Sequence, residues 1–394
     1  MIDYEVPHVA PDEFVVVVIG GPSQGESVLV HYGDGKWLVV DSCTYGGTNL
    51  PLDFFEKAHV DLNMVEHVVC SHWHDDHVSG LPEVLANCPK AYFRLPFISN
   101  MEVMPQYFVY KSEKSIKENE CEAWKTFQEC LDVLEHRTLD EGDDMALKDL
   151  NFASVEQSVV DYETHNTRVD IKAFSPSNEM CARFGQMLAN GDADNCDFDD
   201  GDIDPNMCSI TLGIKFGQNN RHLFLGADLE CNRDRAAVCE SCVGECDARH
   251  AIGMCNLKGN HHFEALHQIS YTKINHHSSQ TGYCCEYWDN YVSDDCIGVS
   301  TAFTSRGLPK KDMAYKYFKS NDQFFITSRK SQKKLNKDDI ARVLGDNKFI
   351  TKMTQIDTTP GIVVTRYDLE TGDYKGTELY LNAFKVSRAD LKYF

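Results

Sequence analysis

The chain opens with three short apolar runs, FVVVVIG (14–20), SVLVHY (27–32) and KWLVVD (36–41). Their β-branched and aromatic residues, punctuated by Gly20-Gly21-Pro22 and Gly33-Asp34-Gly35, predict a strand meander. Residues 51–59 read as a helix and HVVC (67–70) as a buried strand. SGLPEVLANC (79–88) predicts another helix, whose Pro82 must fall in the first turn, where a missing N–H costs nothing. The polar stretch 113–136 is helix-prone. VDIKAFSP (169–176), MCSITLGIKF (207–216), HLFLGAD (222–228) and QISYTKI (268–274) return to strand patterning, and the C-terminal third alternates short strands with helices. Strands and helices mixed along the whole length, without an internal repeat, predict an α/β class built from layered sheets.

Composition narrows this reading. A chain of 394 residues, 42% of them hydrophobic, has ample material for a large core. No run approaches the ~18 apolar residues of a membrane-spanning helix, so no membrane association is expected. The N-terminal MIDYEVPHVAPDEF carries acids and prolines but no basic region, which argues against a secretory signal and favours the cytoplasm. The sixteen cysteines are then expected as reduced thiols or metal ligands rather than disulfides. Net charge is −23, and seven aspartates fall in 192–204, which misses the EF-hand spacing and reads as a solvated acidic loop. Residues 306–342 reverse the sign, with eleven Lys and Arg against four aspartates.

The stretch CSHWHDDHVSG (70–80) places three histidines and two carboxylates within six residues, directly after an apolar strand. His72 and His74, two residues apart at a strand end, can point at one ion, and Asp76 and His77 on the next turn at a second. Two ions need a further carboxylate between them, and Asp228 ends LFLGAD behind two small residues. KINHHSSQTG then supplies His276 and His277 at a later strand end. The expected ligands are His72, His74, Asp76, His77, Asp228 and His276, holding two divalent ions, zinc or manganese. Asp76, Asp228 and His277 are the expected catalytic groups, His277 either protonating the leaving oxygen or supporting its neighbour.

These pieces, in this order, resemble the metallo-β-lactamase superfamily. His72-Trp73-His74-Asp75-Asp76-His77 matches its HxHxDH signature, and WLVVDSC its strand ending in an aspartate. The resemblance implies that this aspartate, Asp41, braces the metal loop without being a ligand. Gln24-Gly25-Glu26-Ser27, Asn206-Met207-Cys208-Ser209, Gly226-Ala227-Asp228 and His276-His277-Ser278-Ser279 are similar to QGDS, NxxS, TGD and HHGS of the metallo-β-lactamase domains of bacterial DNA-uptake proteins. The likeness spans about residues 14–300. It implies an αββα sandwich with metals at one sheet edge, carrying insertions and a C-terminal extension. On that basis residues 1–300 form a catalytic domain with a Cys-rich insertion at 231–262, and residues 301–394 an extension packed on the same fold. There are departures: Glu26 stands for Asp, HHSS for HHGS, and many members have another histidine completing the first metal site. Either His136 or His165 serves there, or His72, His74 and Asp228 hold the first ion with water.

Between Asp228 and the histidine pair, Cys239, Cys242, Cys246 and Cys255 have half of a zinc-finger spacing, with His250, His261 and His262 nearby. A structural zinc, a small helical insertion of reduced cysteines, and an iron–sulfur or redox role are the readings. Cys284 and Cys285 are expected in the core of a helix. The branch-level motifs imply a phosphodiesterase or nuclease acting on nucleic acid or a nucleotide, by analogy a hydrolase of bacterial phage defence. The negative charge argues against a long duplex bound across the surface, so residues 306–342 would form a local basic mouth or be merely a solvated face. The alternatives are a hydrolase of small esters, thioesters or lactones, and a non-catalytic metal-stabilised scaffold whose cysteine insertion binds a protein partner.

Overall fold

The computed structural model describes residues 3–21, 25–96, 122–140, 149–164, 166–178, 180–182, 205–231, 253–257, 261–303, 306–320, 323–328, 331–334, 354–357 and 359–393. Two eight-stranded sheets form the body. The first runs, in spatial order, Tyr374–Leu381, Gly361–Asp368, Glu13–Gly20, Glu26–His31, Trp37–Val40, Val65–Val69, Tyr92–Pro96 and Leu150–Ala153. The second runs Phe384–Lys385, Gln323–Ile326, Val292–Ser300, Ile269–Lys273, Arg221–Leu225, Thr211–Phe216, Arg168–Ser175 and Ser158–Glu163.

Strand alternation explains the layering. Phe14, Val16 and Val18 face the second sheet and pack with its Ile171, Leu212, Ile214, Leu223 and Tyr271. The intervening Val15, Val17 and Ile19 face the other way, with Phe54 and Phe55 of the helix Leu50–Lys57 and Leu81, Val84 and Leu85 of the helix Leu81–Asn87. Covered on both sides, this strand can be an unbroken apolar run. The rings of Phe14 and Phe216 stack between the sheets, 4.0 Å between centroids. Beyond the second sheet, Phe224 and Ile269 pack under Tyr287 and Trp288 of Cys285–Asn290 and Tyr317 of Lys311–Ser320. The result is helix, sheet, sheet, helix: the αββα sandwich expected from the sequence.

Residues 301–394 are not a separate layer. Gly361–Asp368 pairs antiparallel with Glu13–Gly20 from Glu13↔Asp368 to Gly20↔Gly361, while Gln323–Ile326 and Phe384–Lys385 extend the second sheet. Two local expectations change. The run 207–216 divides into a 3₁₀ turn, Pro205–Cys208, and a strand beginning at Thr211, and Glu122–Asp140 carries the predicted polar helix beyond residue 136. Cys284 precedes Cys285–Asn290 and is buried, whereas Cys285 is half-buried. The acidic loop 192–204, Cys239, Cys242, Cys246 and His250 lie outside the described residues, as do 321–322, 329–330 and 335–342 of the basic segment and the side chains of Cys255, His261 and His262. Among the described residues, no helix is long and apolar enough to cross a membrane.

Candidate metal centre

Each sheet contributes parallel strands to one edge of the sandwich. In the first, Trp37–Val40 pairs parallel with Val65–Val69; in the second, Arg221–Leu225, Ile269–Lys273 and Val292–Ser300 are parallel neighbours. Asp41, His72, Asp228, His277 and Thr301 all follow the carboxyl ends of these strands, the usual place for a ligand in such sheets. The turns there are tight. Asp41, Ala227, His276, His277 and Ser278 adopt φ of 59°, 44°, 46°, 49° and 58°, left-handed backbone that non-glycine residues seldom hold. Hydrogen bonds pin the second turn: His276 N donates to Ala227 O at 2.9 Å, Ser278 N to Asn275 O at 3.0 Å and Ser279 N to His276 O at 2.7 Å. Gly226 is glycine because a Cβ there would stand 1.9 Å from Asn275 Oδ1, and Asn275 in turn donates to Leu229 O at 2.9 Å.

Two donor groups emerge. In the first, His72 Nε2 lies 3.0 Å from His74 Nδ1. In the second group, His77 Nε2 is 3.3 Å from Asp228 Oδ2 and 3.7 Å from Asp76 Oδ2. His277 Nε2 stands 3.4 Å from Asp228 Oδ2 and 3.2 Å from Asp76 Oδ2. Asp41 organises the floor, accepting from Ser71 N and Ser71 Oγ, each at 2.6 Å, and from His77 Nδ1 at 2.8 Å. Ser71 Oγ has its only proton on Asp41, so it accepts from His72 Nδ1, 3.0 Å away, and leaves His72 Nε2 a lone pair, beside His74, of the kind that binds a cation.

The geometry separates the two histidines of the pair. His276, the expected ligand, stands in the cavity wall: its Nδ1 lies 3.0 Å from Glu230 Oε1 and 2.9 Å from Ser279 Oγ, and its Nε2 3.4 Å from Asn206 Nδ2. His277, the expected proton donor, is the histidine that joins Asp76, His77 and Asp228. The cause is the left-handed turn, which sends consecutive side chains in different directions. His136 is exposed on its helix and donates to its own Asp132 carbonyl at 2.6 Å, so it completes nothing here. His165 lies outside the described residues. Glu26, Lys273, Thr301 and Glu230 surround the site without having been assigned a role from sequence. The only signals were Glu26 within its motif and the strand-end positions of Thr301 and Lys273.

The electrostatics suit a divalent cation. Burial pushes His72 well below its ordinary range, helped by His77 and His74, and likewise lowers His74, so both are neutral donors. Burial would raise Asp76 and Asp228, but His77 and His277 hold both carboxyls below their usual range. The same carboxylates overcome burial at the histidines, raising His77 well above its normal value and His277 to about 9. Among the described residues, no hydrogen bond reaches the buried His77 Nε2 or Asp228 Oδ1. Two orphaned donor atoms amid mixed imidazole and carboxylate groups fit a metal, whose binding would displace the protons now on His77 and His277. The centre opens into a cavity of about 920 Å³ whose walls include His74, Glu230, His276, Phe303 and Arg306. Phe303 stacks on His277, 5.0 Å between centroids at 19°.

Residues 20–150 match the family model described as the metallo-beta-lactamase superfamily. No curated protein matches the chain. Among solved structures, the metallo-beta-lactamase SMB-1 in complex with mercaptoacetic acid is 12% identical, the match covering 66% of this chain and 76% of that one with a TM-score of 0.32. The Rm3 metallo-beta-lactamase is 14% identical over 70% of this chain and 81% of its own, TM-score 0.32. A Cronobacter sakazakii metallo-beta-lactamase is 12% identical over 54% and 62%, TM-score 0.27. Asp41 and the whole of His72–His77 lie inside the matched span, so over residues 20–150 the chain is similar to a metallo-beta-lactamase superfamily domain.

Proposed function

We propose that this domain is a two-ion hydrolase of phosphodiesters, acting on a nucleotide or a short single strand. The observation that carries the reading is the meeting of His77 and His277 on Asp228 in the wall of one cavity, with the His72 ring 4.2 Å from that of His77. His72 and His74 with Asp228 would hold one ion, and Asp76, His77 and His277 with Asp228 the other. When bound, such ions lower the pKa of an attacking water and neutralise charge on the displaced oxygen. Zinc and manganese both accept this mixture of nitrogen and oxygen donors. Asp228 keeps the two groups in register. His276, oriented by Glu230, faces the cavity and protonates the leaving oxygen.

Arg306 supports a phosphate-bearing substrate. Of the described cavity-lining residues it is the one Lys or Arg, and its guanidinium fork matches phosphate oxygens. Phe303 offers an aromatic surface on which a base can stack. A second reading, a hydrolase of small esters, thioesters or lactones, is favoured by Asp75, Glu83, Glu129 and Glu230 in the same walls, which repel a polyanion. Turnover of bis-p-nitrophenyl phosphate beside an ester and a lactone separates the two. Phosphodiester turnover whose KM rises in Arg306→Glu supports the first reading. Turnover of the ester or lactone alone replaces it with the second.

A further inference from the structure

His77 and His277 turn their Nε2 edges toward Asp228 and their Nδ1 edges toward another carboxylate, Glu26. Glu26 Oε1 is 4.0 Å from His77 Nδ1, and Glu26 Oε2 is 3.5 Å from His277 Nδ1. Glu26 is 1% exposed, and so deeply buried a carboxylate needs partners. It has two. Lys273, itself 0% exposed, donates its ammonium to Glu26 Oε1, and the Thr301 hydroxyl donates to Glu26 Oε2. Lys273 Nζ also reaches Ala227 O at 3.4 Å, the carbonyl just before Asp228.

The proton count decides what this does. Thr301 has one hydroxyl proton, and Glu26 takes it. Thr301 Oγ1 lies 2.9 Å from His277 Nδ1 and can only accept there, so Nδ1 carries a proton, and it is the Nε2 proton, facing Asp76 and Asp228, that an ion would displace. The arrangement repeats the one in the first donor group, where Asp41 takes the Ser71 proton and Ser71 accepts from His72 Nδ1. Two sheets thus supply the same device, carboxylate to hydroxyl to imidazole. Glu26 lies within 4.8 Å of the donor atoms of His77, Asp228 and His277, with one oxygen on Lys273 and the other on Thr301.

We infer that Lys273, Glu26 and Thr301 form a buried relay that fixes His277 as its Nδ1–H tautomer and so sets the affinity of the second ion. They are positioning residues. Lys273 holds Glu26 in place, Glu26 orients the Thr301 hydroxyl, and that hydroxyl orients the ring. The inference rests on the two-ion reading above but needs no substrate.

The test is a zinc titration of the metal-depleted full chain against a chelator of known affinity, with fold checked by circular dichroism. Thr301→Val keeps the volume and deletes the hydroxyl. It is expected to weaken one of the two ions by about 10–100-fold and spare the other. Thr301→Ser, which restores the hydroxyl, is expected to restore affinity, and ¹⁵N-histidine spectra of the zinc-loaded protein should show His277 protonated at Nδ1 in wild type and Thr301→Ser. Because Glu26→Gln alone strands a buried ammonium, the paired variant Glu26→Gln/Lys273→Met is used to remove both charges together. It should show the same selective loss as Thr301→Val. Wild-type affinity for both ions in Thr301→Val or in the paired variant would overturn the relay and leave the two-ion reading standing. An equal loss in Thr301→Ser and Thr301→Val would overturn it in favour of simple packing. A wild-type chain that bound no zinc would remove the two-ion reading and the relay with it.

Discussion

The rings of His276 and His277 stand 6.4 Å apart, tilted by 58°, and serve different surroundings. One sits against Glu230 in the cavity wall; the other closes the second donor group. His277→Ala should therefore lose one equivalent of ion, while His276→Ala keeps its ions and loses about 10²–10⁴-fold in kcat as a general acid would. Metal content measured beside steady-state rates checks both. Ion loss in His276→Ala with ions retained in His277→Ala would return the roles to the order read from sequence.

Asp41 accepts three hydrogen bonds, two from Ser71 and one from His77, and touches both donor groups. Asp41→Asn cannot accept all three. Affinity for both ions should fall by about 10–100-fold, the usual cost of losing an outer-shell partner, in a chain that still folds. A chelator titration showing unaltered affinity would make Asp41 a bystander.

Gly226→Ala would drive a Cβ into Asn275 Oδ1, and Asn275 begins the turn that carries His276 and His277. Overpacking of this kind costs about 1–3 kcal/mol, and here it should also loosen metal binding. A melting temperature and zinc affinity equal to wild type would show that the turn can give way freely.

What was legible in the sequence was local. The period of Phe14–Gly20, Pro82 in a first turn and the spacing of His72, His74, Asp76 and His77 each act within a few residues, so the strands, the helix and the donor cluster could be read directly. What was not legible depends on backbone torsions or distant pairing. Nothing local says that His276 through Ser278 are all left-handed, and that alone decides which histidine faces Asp228. Lys273 meets Glu26 across 247 residues, and Gly361–Asp368 joins Glu13–Gly20 across most of the chain. Asn206 and Glu230, which stand 3.4 Å apart beside His276 in the cavity wall, are likewise brought together only by the fold.

The metal-free chain should have a distinctive pH profile. The folded-state pKa of His277 is raised to about 9, against roughly 6.5 unfolded, so its stabilisation is full below about 6.5 and lost as pH rises through 9. Asp76 and Asp228 have lowered pKa values, and their contribution, present above about 4, is lost as pH falls further. The melting temperature without metal should decline from pH 6.5 to 9, and saturating zinc should suppress that decline by replacing the protons. A metal-free melting temperature that rose across this interval would contradict the charge arrangement described.

The most direct measurement is metal content together with bis-p-nitrophenyl phosphate turnover in wild type and Asp228→Asn, because the two-ion proposal puts Asp228, the carboxylate that His77 and His277 both meet, between the ions. Wild type should carry two ions per chain and hydrolyse the phosphodiester, and the folded, isosteric variant should lose both properties. An Asp228→Asn chain that retained its ions and turned over at the wild-type rate would contradict the account.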